Sequence, residues 1–148
     1  MTLEHLPAIL SALGFGEHYP KSLLLLDTLN TMDGRDFEHW SAGMFRRQGY
    51  VVNITGTTGD HGIDLVLAKD GQTTAVQCKR WADPVGEPVL RDFYGATVSA
   101  GIAEGIVVAT SSFTPSAREF AQNKPIRLID IDELLAIGCT SVSRSEEI

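Results

Sequence analysis

The sequence predicts one α/β domain, a mixed β-sheet flanked by helices. Three observations predict it. The β-branched runs YVVNITG, GIDLVLA and TTAVQCKR follow one another through short turns, which makes them antiparallel neighbours. Two later apolar runs, GIVVAT and IRLID, are each reached through a stretch with helical apolar spacing, which makes them parallel to a neighbour. A length of 148 residues, 43% hydrophobic and 21% charged, is one globular domain's worth of chain and excludes disordered, collagen-like and coiled-coil classes.

Taken in order, residues 1–32 read as an N-terminal helical extension. LPAILSALG has helical spacing and a Gly stop, and KSLLLLDTLN forms a second short helix. The segment is too short for an independent winged-helix domain and is expected to cap the main core or a second subunit. The main domain, residues 33–138, opens with DGRDFEHWSAGMFRRQGY. Phe37, Trp40, Ala42, Met44 and Phe45 recur there with helical spacing, Asp33 or Asp36 is the N-cap, and Gly49 is the stop. Asp70-Gly71 marks a hairpin turn between the second and third strands.

WADPVGEP is a loop, and VLRDFYGATVSAG is helical through Leu90, Phe93, Tyr94 and Val98. Thr114 caps a further helix with Pro115 at its first position. IDELLAIG is a last short helix, and residues 139–148 are a flexible polar tail.

The formal charge is −7, from 12 Lys+Arg and 19 Asp+Glu, which argues against a general nucleic-acid coat. More than half of the basic residues lie in residues 33–95, so a polyanion site belongs there. Cys78 and Cys139 cannot build a disulfide scaffold and are expected as reduced thiols. The start, MTLEHLPAIL, has no basic n-region or uninterrupted apolar core. The run Leu23–Leu26 is far short of the roughly 20 residues a membrane span needs. A soluble, cytoplasmic domain with no membrane contact is the expectation.

Strand alternation places Ala75, Gln77 and Lys79 on one face and Val76, Cys78 and Arg80 on the other. In the partner run, Ile63, Leu65 and Leu67 share a face and Asp64 shares the other with Val66. The hairpin can therefore bring Asp64 beside Gln77 and Lys79, joining a carboxylate, an amide and an ammonium at a sheet edge. A plain ion pair is the more ordinary explanation of such spacing on its own.

The whole string FEHW…GYVV…TGTTGDHGIDLVL…TAVQCKRW…VGEPVLRDFYGA…GIVVATSSFTPSAREFA…IRLIDIDELL resembles the Mrr-type restriction endonuclease domain, a branch of the PD-(D/E)XK nuclease superfamily, over roughly residues 33–137. The resemblance implies a restriction-endonuclease-like core with a central mixed sheet. It implies a metal-dependent DNA endonuclease acting in restriction or anti-phage defence. Asp64 matches the motif aspartate, a ligand for a divalent metal; Gln77 and Lys79 match the Q-x-K form of this branch; Glu38 matches the acidic residue of the first helix.

Mg²⁺, with Mn²⁺ as a substitute, wants such oxygen ligands. The Gln77 side-chain oxygen and the Cys78 backbone carbonyl are further candidate ligands. Lys79 would orient or help deprotonate the attacking water and stabilise charge on the phosphate. Gln in place of an acid lowers the site's negative charge, which puts a two-metal mechanism in question.

Arg80, Arg91, Ser111 and Ser112 are candidate DNA contacts, with Thr110 beside them; solvated arginines and ordinary helix capping are the plainer readings. Asp60 and His61 fit a polar turn better than a ligand set. Trp40 and Phe93 are expected in the core, Trp81 in the core or facing DNA. Cys78 is expected to point away from the site, buried and inert. A homodimer or a specificity-providing partner chain would fit a double-strand cutter. The competing reading is a catalytically weak DNA-binding or adaptor module on the same fold. A nucleotide-binding domain fares poorly, because neither G-x-G-x-x-G nor G-x-x-x-x-G-K-[ST] is present.

Overall fold

Helix ends set by local hydrogen bonds frame the fold. A computed structural model describes residues 21–55 and 62–146, so the LPAILSALG helix, Asp60 and His61 lie outside it. Helix α1 is Lys21–Thr31 and α2 is Gly34–Arg47. Of the two cap candidates Asp33 serves: its side chain accepts from the Asp36 N–H at 2.7 Å. At the far end Gly49 takes φ +96, its N–H donates to Arg46 O, and the Tyr50 N–H donates to Phe45 O. That is a Schellman motif, and the edge-to-face contact of Phe45 with Tyr50, centroids 5.9 Å apart, is its usual apolar companion.

The sheet has strands β1 (Val51–Ile54), β2 (Leu65–Lys69), β3 (Gln72–Lys79), β4 (Glu104–Ala109) and β5 (Ile126–Ile129), ordered β1-β2-β3-β4-β5. As expected, β1–β2–β3 are antiparallel, while β3–β4 and β4–β5 are parallel. Asp70 (φ 52) and Gly71 (φ 78) form the two-residue hairpin turn between Lys69 and Gln72, the twist-matched geometry that needs positive φ twice. The parallel connections run through α3 (Glu87–Ala100) and α4 (Pro115–Gln122). Thr114 caps α4 by accepting from Ala117 N–H at 3.1 Å.

Two cores lie on the two sheet faces. Leu29 of α1, Phe37 and Met44 of α2 and Leu134 of α5 (Ile131–Glu146) pack on Leu65, Leu67, Val76 and Val108. Leu90 and Phe93 of α3 and Ala117 of α4 pack on Ala75, Val107 and Ala109. The fold is a three-layer α/β/α sandwich, with α1 seated on the first core. No helix among the described residues is long and apolar enough to cross a membrane.

The last helix departs from expectation. It continues past Gly138 to Glu146, through the polar residues read as a tail. Gly138 acts as a close-approach position inside the helix: a Cβ there would lie 2.4 Å from Leu25 Cδ2 and 3.6 Å from Trp40 Cζ2. Its missing side chain lets α5 lie against α1 and α2, which sequence alone cannot distinguish from a C-terminal stop.

Asp130 starts α5. Its Oδ1 accepts from the Glu133 N–H at 3.0 Å and its Oδ2 from Arg118 at 3.1 Å. Desolvation opposes its ionisation, but the Glu133 N–H and Arg118 outweigh that and hold its carboxyl below the ordinary value of 3.8. A depressed acid stabilises the fold above its unfolded pKa, and this contribution fades as pH falls through the folded one. Asp130→Ala should therefore cost about 1 kcal/mol at neutral pH in urea unfolding. The deficit should shrink at acidic pH; an unchanged midpoint at neutral pH would remove the cap from this account.

Candidate active site

Asp64 lies just before β2, where the pairing changes. Leu65 is the partner of Val76, yet the Asp64 N–H also donates to Val76 O at 2.8 Å. Two residues thus oppose one, the signature of a β-bulge, which re-aims the side chains around it. From the other side Thr55 holds the same backbone: its N–H donates to Asp64 O at 3.0 Å and its hydroxyl to Ile63 O at 3.0 Å. The strict alternation expected for this run breaks here. Leu65 and Leu67 pack in the first core, while Ile63 packs against the second.

The consequence for Asp64 is direct. Its Oδ2 accepts from the Cys78 N–H at 2.8 Å, and its carboxyl lies beside Glu38 of α2. Gln77 and Lys79 instead line a cleft of about 440 Å³ on the α3 side, with Gly62, Val89 and Asp92. The four expected residues therefore do not share one face; they straddle the end of β3. Lys79 still acts on Asp64, since its ammonium favours the ionised carboxylate.

Cys78 is corrected too. It alternates away from Gln77 and Lys79, but that turns it toward Glu38, Ser41 and Asp64. Burial first, then the Asp64 carboxylate, push its thiol well up, so it stays protonated and unreactive.

The two carboxyls share an unfavourable setting. Burial, the adjacent Asp64 and its hydrogen bond raise Glu38 above 4.5, with Arg35 opposing. Burial also raises Asp64 above 3.8, against the Cys78 N–H, Lys79 and Glu38. With raised pKa values the folded state binds more protons than the unfolded one. Stability therefore falls as pH rises from the ordinary carboxylate range through the folded values. Asp64→Asn should melt higher than wild type at pH 7 without added metal, with the gap closing toward pH 4 in thermal scans. A lower melting temperature at pH 7 would contradict the desolvation account.

Gln77 is 6% exposed, and its Oε1 has no hydrogen-bond partner. A buried, orphaned carbonyl oxygen is costly in a protein that binds nothing there. Together with the Asp64 carboxylate it fits a hard divalent cation, which takes oxygen ligands. The Cys78 carbonyl lies on the same edge as its N–H, because both groups of one residue in an extended strand point to one side. Among the described residues no three His, Cys, Asp or Glu side chains gather as a metal cluster.

Gly62, with φ +98, closes the cleft from behind: a Cβ there would lie 2.8 Å from Gln77 Nε2. Gly62→Ala combines a left-handed backbone with displacement of that amide. It should destabilise by about 1–3 kcal/mol in chemical denaturation. A neutral outcome would show that the amide is not held there.

The remaining candidates are placed as follows. The Arg80 guanidinium donates to Asn30 O, tying α1 to the end of β3. Arg91 pairs with Glu87 at 2.9 Å on the exposed side of α3. Thr110 and Ser111 hold the loop after Lys79: their hydroxyls donate to Trp81 O at 3.2 Å and Asp83 O at 2.8 Å. Ser112 is exposed and accepts the Val85 N–H through its carbonyl. Phe93 is buried; Trp40 is half-buried and stacked on Phe37. Trp81 is 42% exposed, with Lys79 Nζ 4.8 Å above its ring, so it belongs to the surface and not to the core. Gly62 and Asp92 were missed. Val89 and Asp92, three apart on one helix, share a face, and that spacing is the one signal that could have found Asp92.

A bulged aspartate beside a lysine-bearing parallel strand defines a class before it defines a family. The solved restriction endonuclease AspBHI, which depends on DNA modification, superposes with a TM-score of 0.65 over 80% of this chain and 35% of its own, at 14% identity. MspJI restriction endonuclease in complex with a 27-mer oligonucleotide superposes with a TM-score of 0.58 over 78% of this chain and 30% of its own, at 22% identity. The fold is restriction-endonuclease-like.

The family model described as restriction endonuclease, the Mrr catalytic domain, matches residues 29–137. The type IV methyl-directed restriction enzyme EcoKMrr of Escherichia coli (strain K12) is 42% identical over 120 residues. That alignment covers 75% of this chain and 40% of the relative, so the chain spans well under half of that relative's length. The chain belongs to the Mrr-type restriction endonuclease family.

Proposed function

We propose that this domain hydrolyses DNA phosphodiester bonds with Mg²⁺, or Mn²⁺ in its place, as the catalytic part of a restriction system. The observation that carries the reading is the Asp64 carboxylate, held by the Cys78 N–H at 2.8 Å within electrostatic reach of Lys79. Asp64, the Gln77 side-chain oxygen and the Cys78 carbonyl would hold the cation. The cation, when bound, supplies Lewis acidity at the scissile phosphate.

The chain's own groups do the rest. The Cys78 N–H holds Asp64 in one orientation, so its free charge faces the edge of the sheet. Glu38, raised by burial and by Asp64, holds its proton to higher pH than an ordinary glutamate, beside the Asp64 carboxylate. Lys79, carried over the Trp81 ring, swings from there to the phosphate, where its ammonium opposes the charge that grows on the oxygens. Arg80, Arg91 and Ser112 could add backbone contacts, with Arg80 leaving Asn30 to do so. Each site cuts one strand, so a double-strand break requires a second copy or a partner chain, which would also supply sequence or methylation specificity. The net charge of −7 makes DNA binding by the domain alone weak and salt-sensitive.

The deciding experiment is cleavage of methylated, unmethylated and branched DNA with Mg²⁺ or Mn²⁺. Asp64→Ala and Lys79→Ala should each lose at least about 100-fold in rate. Equal rates in wild type and both variants would end the nuclease assignment. Metal-dependent binding without cleavage of any substrate would instead favour the adaptor reading, which Gln77 in place of an acid motivates.

A further inference from the structure

We propose that Trp81 is a stacking platform for an unpaired nucleobase of the DNA strand whose phosphate Lys79 meets, so that the domain favours DNA with an unstacked base at the cleavage position over continuous duplex. This deepens the nuclease reading and rests on it. Exposure is the first observation. Among the described residues four large apolar side chains are exposed, and Trp81, at 42%, is the one aromatic. An indole left in water gains by being covered. Its mount is the second. The Thr110 N–H donates to Lys79 O at 3.0 Å and the Thr110 hydroxyl to Trp81 O at 3.2 Å, fixing the backbone on both sides of the ring. Further along, the Ser111 hydroxyl donates to Asp83 O at 2.8 Å, the Val85 N–H to Ser112 O at 2.8 Å and the Thr114 N–H to Val85 O at 2.9 Å. A ring presented to solvent from a fixed backbone loses little freedom on stacking, which is the advantage of a preorganised surface.

What lies on the ring is the third. Lys79 Nζ stands 4.8 Å from its centroid, and among the described residues that ammonium makes no ion pair with a carboxylate. When Lys79 turns to a phosphate, the ring face beneath it comes free in the same step. Arg80 does not cover it, since its guanidinium donates to Asn30 O on α1. Of the parts of a DNA strand only the bases have a π-face to offer an indole. In a continuous duplex each base is covered by its neighbours, so the ring meets one that is unpaired or turned out of the stack. Phosphates along one strand lie about 3.4 Å apart. With Nζ 4.8 Å from the ring, the stacked base therefore belongs within about two nucleotides of the phosphate that Lys79 meets. A domain with a net charge of −7 has little general attraction for DNA, and stacking adds affinity that needs no positive surface.

The test uses the full chain at low salt with Ca²⁺ in place of Mg²⁺, and two oligonucleotide duplexes that differ only at the centre. One is continuous; the other carries a single unpaired 2-aminopurine, whose fluorescence falls on stacking. Wild type should bind the second about 10-fold more tightly and quench its fluorescence. Trp81→Leu should lose both the preference and the quenching, and Trp81→Phe should keep most of each. Lys79→Ala should weaken binding of both duplexes alike and retain the preference, because its ring face is already free. Trp81 lies outside both cores, and matching melting curves show that the variants fold. Wild type that binds neither duplex, binds both equally, or owes a preference that survives in Trp81→Leu would overturn the platform. So would slower cleavage by Trp81→Leu with the preference intact, which would reduce the ring to a rest for Lys79. A preference lost in Trp81→Leu, in a wild type that cuts no DNA with Mg²⁺, would sink the nuclease reading and leave the platform standing.

Discussion

A carboxylate taken partly out of water must be repaid locally, and at Asp64 a single backbone N–H does much of that. The Cys78 amide donates to Oδ2 at 2.8 Å, and this bond is possible only because the bulge opposite Val76 turns Asp64 toward the end of β3. Thr55 holds the bulge from β1, and β3 is held in turn by its parallel pairing with β4. Remove the bulge and Asp64 returns to strict alternation, on the wrong side of the strand for Glu38. The site therefore depends on one irregular residue in an otherwise regular sheet.

The surrounding architecture supports that irregularity at both ends of the sheet's carboxyl edge. The loop that follows Lys79 carries Trp81 and is stitched to the β4–α4 connection by Thr110, Ser111 and the Val85–Phe113 bridge. Residues that look like phosphate contacts in the sequence spend their hydroxyls on this stitching. It keeps Trp81, and hence the resting place of the Lys79 ammonium, in one position. On the opposite face, the close approach of α5 to α1 at Gly138 buries the first core under α2, whose Glu38 must reach Asp64.

Electrostatically the molecule is an acidic body with a short positive feature. Glu38 and Asp64 both bear raised pKa values, so the pair is uncomfortable without a counter-ion. Acid excess and DNA chemistry are compatible wherever a bound cation offsets part of the negative charge. The Gln77 oxygen nearby is a further buried polar atom left without a protein partner.

Much of this was legible in the chain. Strand order and direction follow from turn length and from the helices between strands, because a hairpin turn forces antiparallel pairing and a helical crossover allows parallel pairing. Asp70-Gly71, Asp33, Thr114 and Gly49 acted as read, since their effects are local hydrogen bonds and dihedral angles. Asp64, Gln77 and Lys79 were singled out by type and spacing, and Glu38 by the family resemblance. Their arrangement was not, because a period of two assumes an unbroken strand, and the bulge at Asp64 shifts the count by one. Gly138 and Asp92 escaped for a related reason. What they do depends on which helix or strand lies opposite, and only the packed tertiary structure decides that.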